Sequence, residues 1–212
     1  VIITFEGGEG VGKTTQVALL CSYLDRKGIS WSSIREPGGS PISEEIRAFF
    51  VKRDLHPITE LLLILASRRE NIRSLIEPAI ADKKVVIIDR FIDSTFVYQG
   101  IAGGLDKKFV MNIMKLSSTY IEPDITFILD MNPEDAISRI TPDDKFEHKP
   151  LRFHEMIRQA FLNLPSEIVP VAGRYYVIDA SRTIEDVNKE ILSVVEGKLL
   201  KKYSIVNSQK RL

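Results

Sequence analysis

Five runs of apolar, β-branched and aromatic residues punctuate the chain, at positions 1–5, 30–34, 85–89, 125–130 and 175–179. Most are continuous rather than alternating, the pattern of strands buried on both faces of a parallel sheet. Between them the apolar positions change to helical spacing. Positions 14–26 carry Val17, Leu20, Cys21 and Leu24 on one face. Positions 40–50 read as a second helix, and 58–80 as a long one that Pro78 interrupts or ends. Pro37-Gly38-Gly39 reads as a turn after the second strand. Gly100, Gly103 and Gly104 mark a flexible loop before a helix at 107–118, and 142–150 is a short, charged, irregular stretch between two helical segments. This rhythm predicts a doubly wound α/β fold, a five-stranded parallel sheet with helices on both faces. Crossovers are expected to be right-handed, whereas strand order is not written in the sequence.

Composition narrows the classes. The chain has 212 residues, which suits one domain, expected over 1–200 with a polar, frayed tail at 201–212. Lys plus Arg and Asp plus Glu number 29 each, so no basic excess points to nucleic acid. Cys21, on the apolar face of the first helix, reads as a core residue, and a chain with one cysteine suits a reducing, cytoplasmic setting. No apolar run is long enough for a membrane span, and no signal-peptide pattern opens the chain. The chain begins at Val1 rather than Met, which is expected of a sequence trimmed at its start.

Candidate chemistry begins at Gly7-Gly8-Glu9-Gly10-Val11-Gly12-Lys13-Thr14, which matches G-x-x-x-x-G-K-[ST]. A strand precedes it and a helix follows, the context in which this P-loop cradles phosphates. The glycines let backbone N–H groups approach the oxygens, and the helix N-terminus adds its positive dipole end. Gly7, Gly8, Glu9, Gly10, Val11, Gly12, Lys13, Thr14 and Thr15 are therefore the candidate ATP-binding residues. Lys13 is expected to reach the outer phosphates and Thr14 to ligate Mg²⁺. The third strand ends in Asp89-Arg90; an acid there suits the second metal-orienting position, and Arg90 points into the same crevice.

Other segments are less specific. Arg35-Glu36 precedes the Pro-Gly-Gly turn and could simply solvate it. Arg68 lies one turn after Ile64 on the long helix, where the bland reading is a solvated face shared with Arg69 and Arg73. Residues 91–100 combine hydroxyls, an amide and aromatics, as a wall for a planar, polar ligand would; Phe96 reads equally as core. Arg139, Lys145, Lys149 and Arg152 flank or occupy the irregular stretch, which suits a cationic lid at about 141–152.

Taken together, these residues resemble the thymidylate kinase family. The resemblance runs from Ile2 to about Leu199 and rests on Phe5-Glu6-Gly7 through Thr15, Arg35-Glu36-Pro37-Gly38-Gly39, Asp89-Arg90-Phe91-Ile92-Asp93-Ser94, Tyr98-Gln99-Gly100, Pro123-Asp124, Leu129-Asp130 and Val177-Ile178-Asp179-Ala180-Ser181. It implies a P-loop NTPase-type kinase domain that transfers a phosphoryl group from MgATP to thymidine monophosphate (dTMP), giving dTDP and ADP for dTTP biosynthesis. Such proteins are cytoplasmic homodimers with neither nucleic-acid nor membrane partners. By position, Arg90 would hold the acceptor phosphate, Arg68 would reach the thymine edge, and Tyr98 would face the sugar 2′ carbon. Glu9 would approach the acceptor sugar or its metal-bound water. Glu36, Pro37, Arg47, Ile64, Ser94, Thr95 and Gln99 would complete the acceptor pocket, and Thr14 and Asp89 would hold the metal. The P-loop carries no cation besides Lys13, so the lid is expected to supply one, from Lys145, Arg139 or Arg152. Two departures stand out: Ile64 replaces a usual aromatic, and Lys145 an arginine. The rival readings are a P-loop kinase for another nucleoside or nucleoside monophosphate, and a nucleotide-binding switch without an acceptor.

Overall fold

The computed structural model describes residues 1–167 and 173–209. Strands β1 (Ile2–Glu6), β2 (Trp31–Arg35), β3 (Val85–Asp89), β4 (Ile125–Asp130) and β5 (Tyr175–Asp179) form one sheet. All pairings are parallel, in the order β2-β3-β1-β4-β5. The outward steps from β1 place a switch of direction beside it, where ligands of open α/β sheets bind.

Residue alternation along the central strands divides the core in two. Ile3, Phe5, Val85, Ile87, Ile125 and Phe127 pack with helices α1 (Lys13–Arg26) and α9 (Ile184–Gln209). Ile2, Val86, Ile88 and Ile128 face the other way, against α3 (Pro57–Asn71), which follows α2 (Pro41–Phe50), and α8 (Leu151–Glu167). A strand whose successive side chains enter opposite cores must be apolar throughout. Thr4 and the closing Glu6 are the exceptions in β1, and the Thr4 hydroxyl donates to Thr126 Oγ1 at 2.9 Å. The expectation of five buried strands holds for β1, β3 and β4 only. β2 and β5 are the sheet edges and remain partly exposed.

The long helix is divided as Pro78 requires. α3 passes into a π-helical turn at Ile72–Ile76 and then α4 (Glu77–Ala81). The wide turn contains Ser74, the residue whose carbonyl the Pro78 ring would strike in a regular helix. The flexible loop expected from Gly100 onward begins later: α5 (Ile92–Thr95) continues as a π-helical turn over Phe96–Ala102, with Gly100 buried inside it. α6 (Lys107–Leu116) follows. Residues 141–150 lack regular structure between α7 (Pro133–Ile137) and α8. The backbone of α9 is helical to Gln209, through most of the segment expected as a tail; residues 210–212 lie outside the described residues. Cys21 is buried on the inner face of α1. Among the described residues, no helix is long and apolar enough to cross a membrane.

Candidate active site

The parallel ladder brings the carboxyl ends of β1, β2 and β3 to one rim. Arg90 N–H donates to the Phe5 carbonyl at 2.9 Å, and Glu36 N–H to the Asp89 carbonyl at 2.9 Å. The P-loop leaves β1 at this rim and packs tightly. A Cβ on Gly7 would lie 2.5 Å from the Leu129 carbonyl, and one on Gly10 2.0 Å from that of Ala136. Glycine at Gly10 thus lets the loop rest on α7, just ahead of Arg139 in the chain. The helix that follows starts unlike its neighbours. Ser40, Asp106 and Asn132 cap α2, α6 and α7 with side-chain oxygens. α1 has Gly12 at its N-cap, no side-chain cap and no acid in its first turn. Its N–H groups and dipole are left for an anion.

Lys13 arches over the loop and donates to the Gly7 and Gly8 carbonyls at 3.2 and 2.5 Å. Burial, with help from Arg90, lowers its pKa to about 8, so it remains a cation near neutrality. Thr14 Oγ1 donates to Asp89 Oδ2 at 2.8 Å. These two hard oxygens beside the loop fit a small divalent ion that keeps most of its water and takes few protein ligands.

Arg90 has φ +66°, a left-handed conformation that costs a bulky residue about 1–3 kcal/mol. The turn sends its guanidinium back across the P-loop. Nη1 donates to the Gly7 carbonyl at 2.9 Å, and the group lies 5.2 Å from the centre of the Tyr98 ring. Nη2 sits 2.7 Å from Glu9 Oε2, yet its N–H groups align with no acceptor. Arg90 therefore has donor capacity unused within the protein. Burial acts to raise the Glu9 pKa, but Arg90, Lys13 and the Tyr98 hydroxyl outweigh it and hold the carboxyl at about 2. That hydroxyl donates to Glu9 Oε1 at 2.9 Å, so Glu9, Arg90 and Tyr98 form one unit.

Away from the P-loop, the Arg35-Glu36 pair divides. Arg35 meets Glu44 at the surface at 2.9 Å, while Glu36 turns inward. Arg68 is 1% exposed, so the reading of a solvated helix face fails for it. Its Nε donates to Glu36 Oε2 at 2.7 Å and its Nη2 to Thr95 Oγ1 at 2.9 Å. Burial pushes the Glu36 pKa up, against the pull of Arg68 and Asn71. Removing one partner of such a pair strands the other charge, at a cost of about 3–5 kcal/mol. Arg69 and Arg73 do remain on the surface, paired with Glu77 and Glu70. Arg47 donates to the Pro37 carbonyl at 2.9 Å.

These groups line one cleft of about 550 Å³. Around it stand Glu9 to Thr15, Glu36, Pro37, Arg47, Ile64, Arg68, Asp89, Arg90, Ser94, Thr95, Tyr98, Gln99 and Arg139. Some expectations differ. Gly7 and Gly8 line a small hollow beside Ile128 and Met131 rather than the cleft. Phe96, read equally as core, is buried in the core. Lys145 does not line the cleft: its ammonium bonds the Glu60 carboxylate and the Arg53 carbonyl. Lys149 and Arg152 are also absent from the lining. Arg139 does line it, and its guanidinium makes no hydrogen bond or ion pair with another described residue. Phe50 also lines it, as does Arg182 at the far end beside Ala180 and Ile184, and neither was singled out in sequence; Phe91 lies in the stretch 91–100 read there as a ligand wall, and Asp144, Phe146 and Glu147 in the irregular stretch 142–150.

Glu6 was also missed. It is buried at the end of β1 and accepts from Phe91 N–H at 2.8 Å and Ser94 Oγ at 2.6 Å. Its signal was an acid closing an apolar strand, as in β3. Burial and the nearby Asp93 push its pKa up to about 7. The folded state then binds the proton more tightly than the unfolded chain, whose value is near 4.5. The stability Glu6 contributes is complete below about 4.5 and is lost as pH rises through about 7. Glu6→Gln should flatten this part of the curve of urea midpoint against pH. Equal slopes in both proteins across that window would refute the assignment.

Comparison with known proteins agrees with this geometry. The thymidylate kinase family profile matches residues 5–191. A thymidylate kinase of Symbiobacterium thermophilum is 41% identical over 208 residues, covering 96% of each chain. One from Chlorobaculum tepidum is 36% identical, covering 93% of this chain and 97% of its own. The crystal structure of thymidylate kinase from Ehrlichia chaffeensis superposes with a TM-score of 0.73 at 33% identity, covering 92% of this chain and 98% of that one. The match runs from the P-loop through residues 91–100 and 141–152 to β5, and the chain belongs to the thymidylate kinase family.

Proposed function

We propose that the chain transfers the γ-phosphoryl group of ATP to the phosphate of dTMP, giving ADP and dTDP. The observation that carries this reading is the single cleft that joins the P-loop to a second, equally built half around Arg68, with Arg90 and Arg139 along it. A nucleotide switch needs the first half only.

In the reaction, an acceptor phosphate oxygen bonds to the γ-phosphorus as the bond to the β–γ bridging oxygen breaks. The protein positions both nucleotides in line and neutralises charge. The P-loop N–H groups and Lys13 hold the donor phosphates. Arg90 turns its unaligned donors from Glu9 to the acceptor phosphate. Thr14 and Asp89 would hold Mg²⁺, which supplies neutralising charge on the donor phosphates. Arg139 is the lid cation for the transferring group, because it faces the cleft and Lys145 does not. Tyr98, fixed by Glu9, would crowd a ribose 2′ hydroxyl and so favour the deoxy sugar. Ala180 and Arg182 flank the adenine end. Exposed apolar side chains on α3 and α6, such as Ile58, Leu62, Phe109 and Leu116, support a homodimer packed through helices. A reducing cytoplasm, where dTMP and ATP are at hand, suits the single buried cysteine.

ADP formation from MgATP with dTMP, dUMP, dCMP, dGMP and dAMP, beside a no-acceptor control, tests the reading. Strongest stimulation is expected with dTMP, about 10-fold or more over dUMP, the value of one methyl group in a fitted pocket. Preference for another monophosphate would replace the acceptor. Equal ADP formation without any acceptor would replace the kinase with a switch.

A further inference from the structure

We infer that Phe146, carried by the lid, is a specificity-determining residue of the acceptor site, and that Lys145 positions it. Lid closure then completes the nucleobase pocket as well as covering the phosphates. This rests on the acceptor reading above.

Phe146 lines the cleft and packs into a buried cluster with Phe50, Val51 and Ile64. Its ring lies 5.2 Å from Tyr98, edge on, and 5.8 Å from Phe50. Tyr98 belongs to the unit that meets the acceptor phosphate and sugar. Ile64 stands on the same helix face as Arg68, one turn away. The lid ring thus occupies the apolar side of the chamber in which Arg68, Thr95 and Gln99 offer polar edges. A nucleobase has polar edges and two apolar faces; an aromatic ring covers such a face with more area and better stacking geometry than an aliphatic side chain. With isoleucine at position 64, the cleft's rings come from Phe50, Phe91 and Tyr98 and, from the lid, Phe146.

The lid segment is held in place by specific bonds. Asp144 Oδ1 accepts from the N–H groups of Phe146 and Glu147 at 2.9 and 3.1 Å, a tight turn that sets the ring's direction. Lys145 N–H donates to the Val51 carbonyl at 3.0 Å, and its ammonium donates to the Arg53 carbonyl at 2.8 Å. The same ammonium pairs with Glu60, whose other oxygen accepts from Gln99 Nε2 at 3.3 Å. Lys145 and Gln99 therefore share one carboxylate, which links the lid's anchor to a residue of the acceptor wall. An acceptor that stacks on Phe146 would favour the anchored lid, and the anchored lid would favour the acceptor, since coupling of this kind is reciprocal.

Steady-state kinetics of the full chain, varying dTMP and ATP separately, test this. Phe146→Ala is expected to raise KM for dTMP about 10-fold or more, the usual effect of losing a base–ring contact, while KM for ATP and kcat change less than about threefold. Phe146→Tyr should retain the wild-type KM. Ile64→Phe added to Phe146→Ala should recover most of the lost acceptor affinity, since the new ring fills the vacated space. Lys145→Met should move KM for dTMP in the same direction. Phe146→Ala that leaves KM for dTMP unmoved, or that raises both KM values alike, would overturn the inference while dTMP remains the acceptor. A wild-type chain that ignores dTMP would instead overturn the acceptor reading, and this inference with it.

Discussion

Replacing Lys13 with Ala is expected to lower kcat/KM by about 10³-fold or more while leaving the fold intact. In the proposed reaction Lys13 would hold the donor's outer phosphates, and removing one preorganised donor from a transition state costs about 10²–10³-fold in rate. Lys13 also carries a full charge, which makes the larger figure the expected one. Its loss should not unfold the protein. Burial beside Arg90 already depresses its pKa, so the fold bears a cost for keeping it charged. The Gly7 carbonyl it leaves still accepts from Arg90 Nη1 at 2.9 Å, and Gly8 is only half-buried. The thermal midpoint of Lys13→Ala should equal or exceed that of the wild type, a common outcome at functional sites. Near-normal turnover in this variant would sink the mechanism. A collapsed midpoint would mean that the lysine is structural.

The second large effect is expected at Arg139. Arg139→Ala should lower kcat by about 10³-fold, the low end of what a cationic finger supplies in phosphoryl transfer, with both KM values within a few-fold of normal. The split arises because the lid cation meets charge that develops on the transferring group, not charge already present on either nucleotide. Arg139→Lys should recover part of the loss, since the charge returns without the planar fork. The family resemblance left Arg139, Lys145 and Arg152 as candidates, with Arg139 and Lys145 preferred. The structure separates them by direction and partner: Arg139 enters the cleft unpaired among the described residues, and Lys145 is bonded to Glu60. Measured kcat for Arg139→Ala within tenfold of the wild type would remove Arg139 from the role.

Much of this frame was legible in the chain. The P-loop announced itself because its function is carried by backbone, and backbone conformation of that kind requires glycine at fixed offsets. Asp89 and Arg90 were legible because an acid closing an apolar strand has one place to go in a parallel sheet. The strand limits of β3, β4 and β5 coincide with the apolar runs; those of β1 and β2 shift by one residue. Where the reading went astray, contacts distant in sequence had decided the outcome. Gly100 suggested a loop, yet the surrounding apolar residues hold it in a buried π-helical turn. Arg68 looked like one of three surface arginines until Glu36, on a segment 32 positions away, claimed its guanidinium. Lys145 looked catalytic by neighbourhood, and Glu60, 85 positions away, turned it aside.

By itself, then, the sequence determined the α/β class, the P-loop, the acidic strand end and the place of the irregular stretch before α8. Each is local: a periodicity, a glycine spacing or a strand terminus is written within a short stretch and constrains nothing beyond it. The tertiary structure alone decided the order β2-β3-β1-β4-β5, which strands are edges, the burial of Glu6, Glu36 and Arg68, and that Arg139 rather than Lys145 lines the cleft. Those outcomes depend on which distant groups share a desolvated space. A charge buried there must find a partner, and the chain does not name that partner until it folds.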